Sequence, residues 1–384
     1  MNIAESFSKY FGCTPDAVYR APARINLIGE HLDYNGGLVL PAAISLYISA
    51  AVSIRNDSKI NVYSLSTNNG FEVDLKEIRK DSKYEWANYV FGVFSILQNE
   101  GYMVTKGLNI LLSSEIPLGS GLSSSAALLV LILHLTSEIF HFGILPIEVT
   151  KLAKKVENDY LGLKSGIMDE ASIALAKEKC CLLLNCDKLE YKHIPLDLGE
   201  YAFVVLKTNV PRSLVTSKYN ERVDECQKGL NILKNHYRVS NLCEISVSNL
   251  NHIKELISDE IIYRRVKHVI TEQNRVLEFV SSLEKKNIKQ LGQLLNESHQ
   301  SLKDDYEVSG AYLDAIQTAA LHAGAIGARM TGAGFGGCAI ALIKKDSFNK
   351  FKEGVLNEYY VKTGLHADVL EVNITSGPEL LSKR

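Results

Sequence analysis

The 384-residue sequence carries no surplus of either charge: 42 Lys and Arg stand against 44 Asp and Glu, a formal net charge of -2. Without a basic excess there is no electrostatic case for nucleic acid or an anionic membrane surface as partner, and any basic site must be local. Long hydrophobic runs are missing too. The strongest, Ala126 to Leu135, falls far short of a membrane span, and Met1 to Ser6 place no basic segment ahead of an apolar one, so a cytoplasmic protein is expected. None of the seven cysteines (Cys13, Cys180, Cys181, Cys186, Cys226, Cys243 and Cys338) stands in a C-x-x-C pair, and their number is odd. That pattern implies neither a zinc site nor a disulfide framework, and leaves reduced thiols, mostly in the core. Internal repeats and low-complexity linkers are also absent.

Hydrophobic residues at 46% and charged residues at 22% are globular values. A chain this long exceeds what one core usually serves, which predicts two domains with a cleft between them. Strand-like runs (Leu46 to Ile54, Leu108 to Leu112) alternate with helical ones (Ala87 to Asn99, Ala126 to Phe140) in the first half. After the apolar strand Ala202 to Leu206 the chain turns helical to about residue 323, so the boundary is set between 1–199 and 200–384, in an α+β class. Within Glu260 to Leu283, Ile262, Val266, Val269, Val276 and Val280 mark one buried helix face, with the charged face expected in solvent. The strand Cys338 to Ile343 follows, and the remainder alternates one helical and one strand-like stretch.

Three loops concentrate polar groups and glycine. Pro117-Leu118-Gly119-Ser120-Gly121-Leu122-Ser123-Ser124-Ser125-Ala126 lies between a strand and an apolar helix. Backbone N–H groups at a helix start form an anion site, and serine hydroxyls can donate to phosphate or ligate a metal. It is not a Walker A loop, because no Gly-Lys-Ser/Thr follows. The stretch from Ala21 to Gly37 packs Arg24, Asn26, Glu30, His31 and Asp33 together, groups suited to a hydroxyl-rich ligand. Met330 to Cys338 crowds four glycines before a buried strand, which implies close backbone approach. Alone, each loop is as readily a structural turn as a site.

In this order and at these distances the three loops resemble the signature motifs of the GHMP kinases, and the Ala21–Gly37 stretch resembles that of the galactokinase family in particular. The likeness continues through Gly166-Ile167-Met168-Asp169, Ser217 to Arg222, Arg264 to Val269 and Ser301 to Ser309, and so spans the chain. It implies an N-terminal ribosomal-S5-domain-2-like domain, a C-terminal ferredoxin-like domain and a site between them. It further implies transfer of the γ-phosphoryl of Mg·ATP to the C1 hydroxyl of galactose, with Asp169 as base and Arg24 stabilising the transition state; such transfer rests on positioning and charge neutralisation. Glu30, His31, Leu32, Asp33, Gly166 and Tyr219 would surround the sugar. Ser64, Gly119, Ser120, Gly121, Leu122, Ser123, Ser124 and Ser125 would hold the nucleotide, and Ser125 and Glu157 would ligate Mg²⁺, which prefers such hard oxygen donors. No nucleic acid or membrane partner is implied, and a monomer is expected.

Several positions depart from the family pattern: Ala23 for glycine, Leu32 for threonine, Glu170 for glutamine, Ser165 and Gly310 for cysteine, Val223 for arginine. Leu32 deletes a hydroxyl beside Asp33, and Glu170 adds a charge beside Asp169 that could raise its pKa unless it points away. Both leave open a kinase for another sugar, such as N-acetylgalactosamine. A non-catalytic sensor of galactose and ATP is the alternative outside enzymology, opposed by the intact Arg24, Ser123 to Ala126, Glu157 and Asp169.

Overall fold

A computed structural model describes residues 2–117, 119–163, 165–210 and 215–384, with the side chains of 215–217 left out. Leu118 of the first glycine loop therefore lies outside the described residues.

The first sheet grows around the strand Ala17–Asn26, whose residues are buried at nearly every position. Such a strand must be covered on both faces and flanked on both edges. Pro41–Ile54 pairs antiparallel along its whole length on one edge. A register shift falls between Pro22 and Ala23, where a proline cannot donate to the ladder. Past this bulge Arg24 N donates to Leu122 O at 3.3 Å, which ties the strand to the first glycine loop. Leu108–Ser114, Lys59–Ser64 and Asn69–Asp74 complete that side of the sheet. The helix Ser124–Phe140 is apolar almost all round and buried over Ala126 to Leu133, as a helix sandwiched between the sheet and a further helical layer must be.

The second sheet is antiparallel, in the order Gly327–Thr331, Cys338–Lys344, Tyr201–Lys207 and Asp368–Glu371, with the helices Gly310–His322 and Phe348–Thr363 beside it. Leu38–Val39, Cys180–Asn185 and Glu190–Pro195 form a small third sheet. Strands and helices are segregated rather than strictly alternating, which is the expected α+β class.

Two features differ from the sequence reading. The stretch after Phe348–Thr363 holds two strands, not one, and the second, Glu379–Lys383, returns to the first sheet to pair with Ala17–Arg20. The chain therefore ends on the sheet that it began. The helix Glu260–Glu284 buries Ile262, Val266, Val269 and Val276 as expected, but Arg265, His268 and Glu272 are buried with them. Each meets polar groups of a facing element: Arg265 bonds Glu225 and Glu307, His268 bonds Ser301, and Glu272 bonds Ser298. Burial of charge is tolerable only with such pairing.

Candidate active site

A cavity of about 670 Å³ is walled by the three glycine-bearing loops, by Glu157, Leu163, Ser165, Gly166 and Asp169, and by Tyr219, Asn220, Val223 and Asp224. At its centre Arg24 grips Asp169 in a fork: Nε donates to Oδ1 and Nη2 to Oδ2, both at 2.8 Å. Arg24 is buried, while the Asp169 side chain is about one-third exposed and faces the cavity. Arg24 Nη1 donates to Gly121 O at 2.7 Å, and Ser123 Oγ donates to Asp169 Oδ2. A bidentate pair fixes the carboxylate in plane and in direction. Ser123 takes left-handed backbone geometry (φ 61°) immediately before the helix Ser124–Phe140. That turn aims its hydroxyl at Asp169, while Ser123 also lines the cavity.

Gly119, Gly121, Ser124 and Ser125 line the same cavity. Gly332 of the third loop packs on this loop: it has φ 86°, and an added Cβ would lie 2.9 Å from Gly121 O. Glu157 stands on a π-helical turn, Val156–Tyr160, and is buried. Ser165 Oγ donates to Glu157 Oε2 and accepts from Lys154 Nζ at 2.7 Å. The serine at the family's cysteine position thus orients Glu157. Glu170 is fully buried against Glu157. Burial, then the charge of Glu157 and a hydrogen bond to it, then the charge of Asp169, push the Glu170 pKa well above the carboxylate range, which disfavours a charge beside Asp169.

On the sugar-loop side, Glu30, His31, Asp33, Gly166 and Tyr219 all reach the cavity. Asp33 is pushed up to about 7, by burial first and then by the charge of Asp169. Gly166 packs so close that an added Cβ would lie 1.5 Å from Asp33 Oδ2. Gly166→Ala must therefore displace Asp33, and galactose titrations should show affinity weakened about tenfold or more, with ATP binding retained.

Leu32, Ser64, Ser120 and Leu122 do not reach the cavity wall. Leu32 and Leu122 are fully buried in the core, so leucine at 32 fills apolar space where a threonine hydroxyl would need a partner. Ser64 is buried at the end of its strand, where Oγ accepts from Thr67 N at 3.3 Å.

Three residues that hold the site escaped the sequence reading. Arg329, fully buried, donates to Glu30 Oε2 and to Leu27 O (3.0 Å), while Gly332 N donates to Glu30 Oε1 at 2.8 Å. Glu272 Oε1 accepts from Gly29 N at 2.9 Å and Glu30 N at 3.3 Å, and its Oε2 accepts from Arg275 Nε at 2.7 Å. Burial opposes that charge, but Arg275 and His268 outweigh it and hold Glu272 down at about 2. His268 Nε2 contacts Glu30 O at 3.2 Å. The long helix of the second half therefore holds both sides of the sugar-loop backbone. The available signal was a glutamate at 272, between Val269 and Val276, where the helical period calls for an apolar residue.

The galactokinase galactose-binding signature matches residues 5–54, the N-terminal domain of GHMP kinases matches 88–177 and their C-terminal domain matches 279–362. These spans contain all three cavity loops and define the class, the GHMP kinases. The galactokinase of Clostridium tetani (strain Massachusetts / E88) is 44% identical over 364 residues, 94% of this chain and 93% of its own length. That of Clostridium acetobutylicum is 40% identical over 381 residues, 98% of each chain. The crystal structure of Lactococcus lactis galactokinase complexed with galactose superposes with a TM-score of 0.95 at 40% identity over 98% of both chains. The chain belongs to the galactokinase family. A Methanococcus jannaschii mevalonate kinase, with a TM-score of 0.68 at 21% identity, shares the fold.

Proposed function

We propose that the protein transfers the γ-phosphoryl group of ATP to the C1 hydroxyl of α-D-galactose, giving galactose 1-phosphate and ADP. The observation that carries this is the Arg24–Asp169 fork, set where the glycine-serine loop and the sugar loop face one another across one cavity. Asp169 takes the proton of the C1 hydroxyl as its oxygen attacks phosphorus, and Arg24 neutralises charge building on the transferring group. Three bonds, from Arg24 Nε, Arg24 Nη2 and Ser123 Oγ, hold the carboxylate still, so little reorganisation is needed at the moment of transfer. Glu30, His31, Asp33, Gly166 and Tyr219 orient the hexose, and Gly119, Gly121, Ser124 and Ser125 cradle the phosphates.

Ser125 and Glu157, both lining the cavity, supply a hydroxyl and a carboxylate, hard oxygen donors of the kind Mg²⁺ takes. No cluster of three or more His, Cys, Asp or Glu able to hold a metal occurs among the described residues, so most of the ion's ligands would come from phosphate and water. Bound there with ATP, Mg²⁺ would neutralise phosphate charge and orient the phosphoryl group. We read the chain as two domains, 1–199 and 200–384, with Glu379–Lys383 crossing back. We expect a monomer. No helix among the described residues is long and apolar enough to cross a membrane, and we place the activity in the cytoplasm, where ATP is supplied.

The test is ADP release with Mg·ATP and a panel of galactose, N-acetylgalactosamine, glucose, arabinose and glucuronate. Galactose should dominate. Preference for another sugar would move the assignment within the class, and binding of galactose and ATP without turnover would favour a sensor.

The raised pKa of Asp33 makes a separate prediction. An acceptor carboxylate is present only above about pH 7, so galactose affinity should rise through that range. The sign for stability is opposite: the unfolded side chain ionises near its ordinary value of 3.8, so folding loses stability as pH climbs from there to about 7, by at most ~4 kcal/mol. Water in the cavity reduces that ceiling. Asp33→Asn should therefore be more stable than the parent by ~1–3 kcal/mol at about pH 8 and no different at about pH 4, while losing galactose affinity. Urea unfolding at the two pH values checks it.

A further inference from the structure

A buried file of hydroxyl and thiol groups leads away from the sugar loop into the second half of the chain. His31 Nδ1 lies 2.9 Å from Tyr34 Oη, Tyr34 Oη lies 2.8 Å from Tyr306 Oη, and Tyr306 Oη lies 3.0 Å from Cys226 Sγ. Tyr306 and Cys226 are sealed from solvent. The Tyr306 ring packs against His31 at 4.8 Å and His268 at 4.4 Å between centroids. Its backbone carbonyl accepts from Arg222 Nε at 2.7 Å, so the ring is placed independently of its hydroxyl. At the other end His31 lines the cavity, and its Nε2 is buried with no hydrogen-bond partner.

Burial above all, then neighbouring cationic groups, holds the His31 pKa well below its usual value, so the ring is neutral. A neutral imidazole has one N–H and one acceptor nitrogen, and each phenol has one proton to give. A file of such groups must therefore run in one direction. Imidazole nitrogen is the best acceptor in it and thiol sulfur the poorest, so the protons point from Cys226 through Tyr306 and Tyr34 to His31 Nδ1. The proton of His31 is left on Nε2, the unpartnered nitrogen of a residue that lines the cavity.

We propose that Cys226, Tyr306 and Tyr34 are positioning residues that hold His31 as its Nε2–H tautomer, so that the sugar loop presents one donor among the acceptors Glu30 and Asp33. The functional side of this rests on the reading of His31 as a sugar contact. A pyranose offers both kinds of group: its hydroxyls can donate to the carboxylates while one hydroxyl or ring oxygen accepts from His31. The opposite tautomer would set a lone pair against that oxygen, and a mismatched buried polar group weakens binding.

Nitrogen NMR of the ligand-free enzyme carrying isotope-labelled histidine distinguishes the two ring nitrogens, and galactose titration calorimetry reports the consequence. In the parent protein His31 should show a protonated Nε2 and a bare Nδ1. Tyr34→Phe removes the donor to Nδ1 and should shift His31 to a mixture or to the other tautomer, with galactose binding weakened about tenfold. Tyr306→Phe frees the Tyr34 hydroxyl to turn and should shift the nitrogens the same way by less. Cys226→Ser keeps a donor and should preserve the parent pattern. A purely structural role would lower thermal stability without moving the nitrogen signals. A parent His31 protonated on Nδ1, or unchanged nitrogens in both Phe variants, overturns the proposal. Shifted nitrogens with unchanged galactose affinity would uphold the relay and remove His31 from the sugar contacts.

Discussion

Asp169→Asn is expected to lower kcat for galactose phosphorylation by about a thousandfold while leaving galactose affinity within a fewfold of the parent. In the proposed reaction this carboxylate, held by Arg24, receives the C1 proton. An amide of the same shape cannot take the proton. It also presents an NH₂ to one arm of a fork that consists only of donors, so the Arg24–Asp169 pairing drops from two good bonds to one. The sugar contacts proposed for Glu30, His31, Asp33 and Gly166 remain, which is why binding should persist. Single-turnover kinetics alongside galactose calorimetry separates the two effects. A variant that keeps its kcat would remove Asp169 from the mechanism.

Arg329→Met should cost about 3–5 kcal/mol of stability, because it leaves Glu30 buried and uncompensated. Burial already raises the Glu30 pKa against the pull of Arg329 and Arg24. With Arg329 gone burial acts less opposed, Glu30 takes up a proton more readily, and the loss should deepen as pH rises through that higher pKa. Leu27 O loses its donor at the same time, while Asn26 O keeps Thr331 Oγ1. Urea unfolding at two pH values measures the loss. Adding Glu30→Gln should recover part of it, since a neutral amide needs no counter-ion. The same variant should weaken galactose binding, because Glu30, Gly332 and Arg329 together join the sugar loop to the third glycine loop.

Much of this site was legible because local sequence carries local geometry. Gly119 to Ser125, ahead of an apolar helix, has the makings of an anion cradle, and only its company with the other two loops singled it out from a structural turn. The strand and helix periods between residues 87 and 140 survive folding almost unchanged. Other features were illegible for a common reason: they depend on which face of an element meets which neighbour. Leu32 sits one residue from Asp33, yet it turns into the core while Asp33 turns to the cleft. Ser123 reads as one more phosphate-loop hydroxyl until its left-handed turn brings it to Asp169, 46 residues further along the chain. Glu170 reads as an exposed charge until the fold buries it and raises its pKa.

The sequence by itself determined the α+β class, the loop chemistry and the pairing of a cation with a base in one kinase family, since each rests on residue type, spacing and motif. Only the tertiary structure decided that Glu272, His268 and Arg329 hold the sugar loop, that the last strand returns to the first sheet and that His31 ends a buried proton file. Those contacts join residues hundreds of positions apart. No local pattern encodes them, because they exist only once burial has removed water as the competing hydrogen-bond partner.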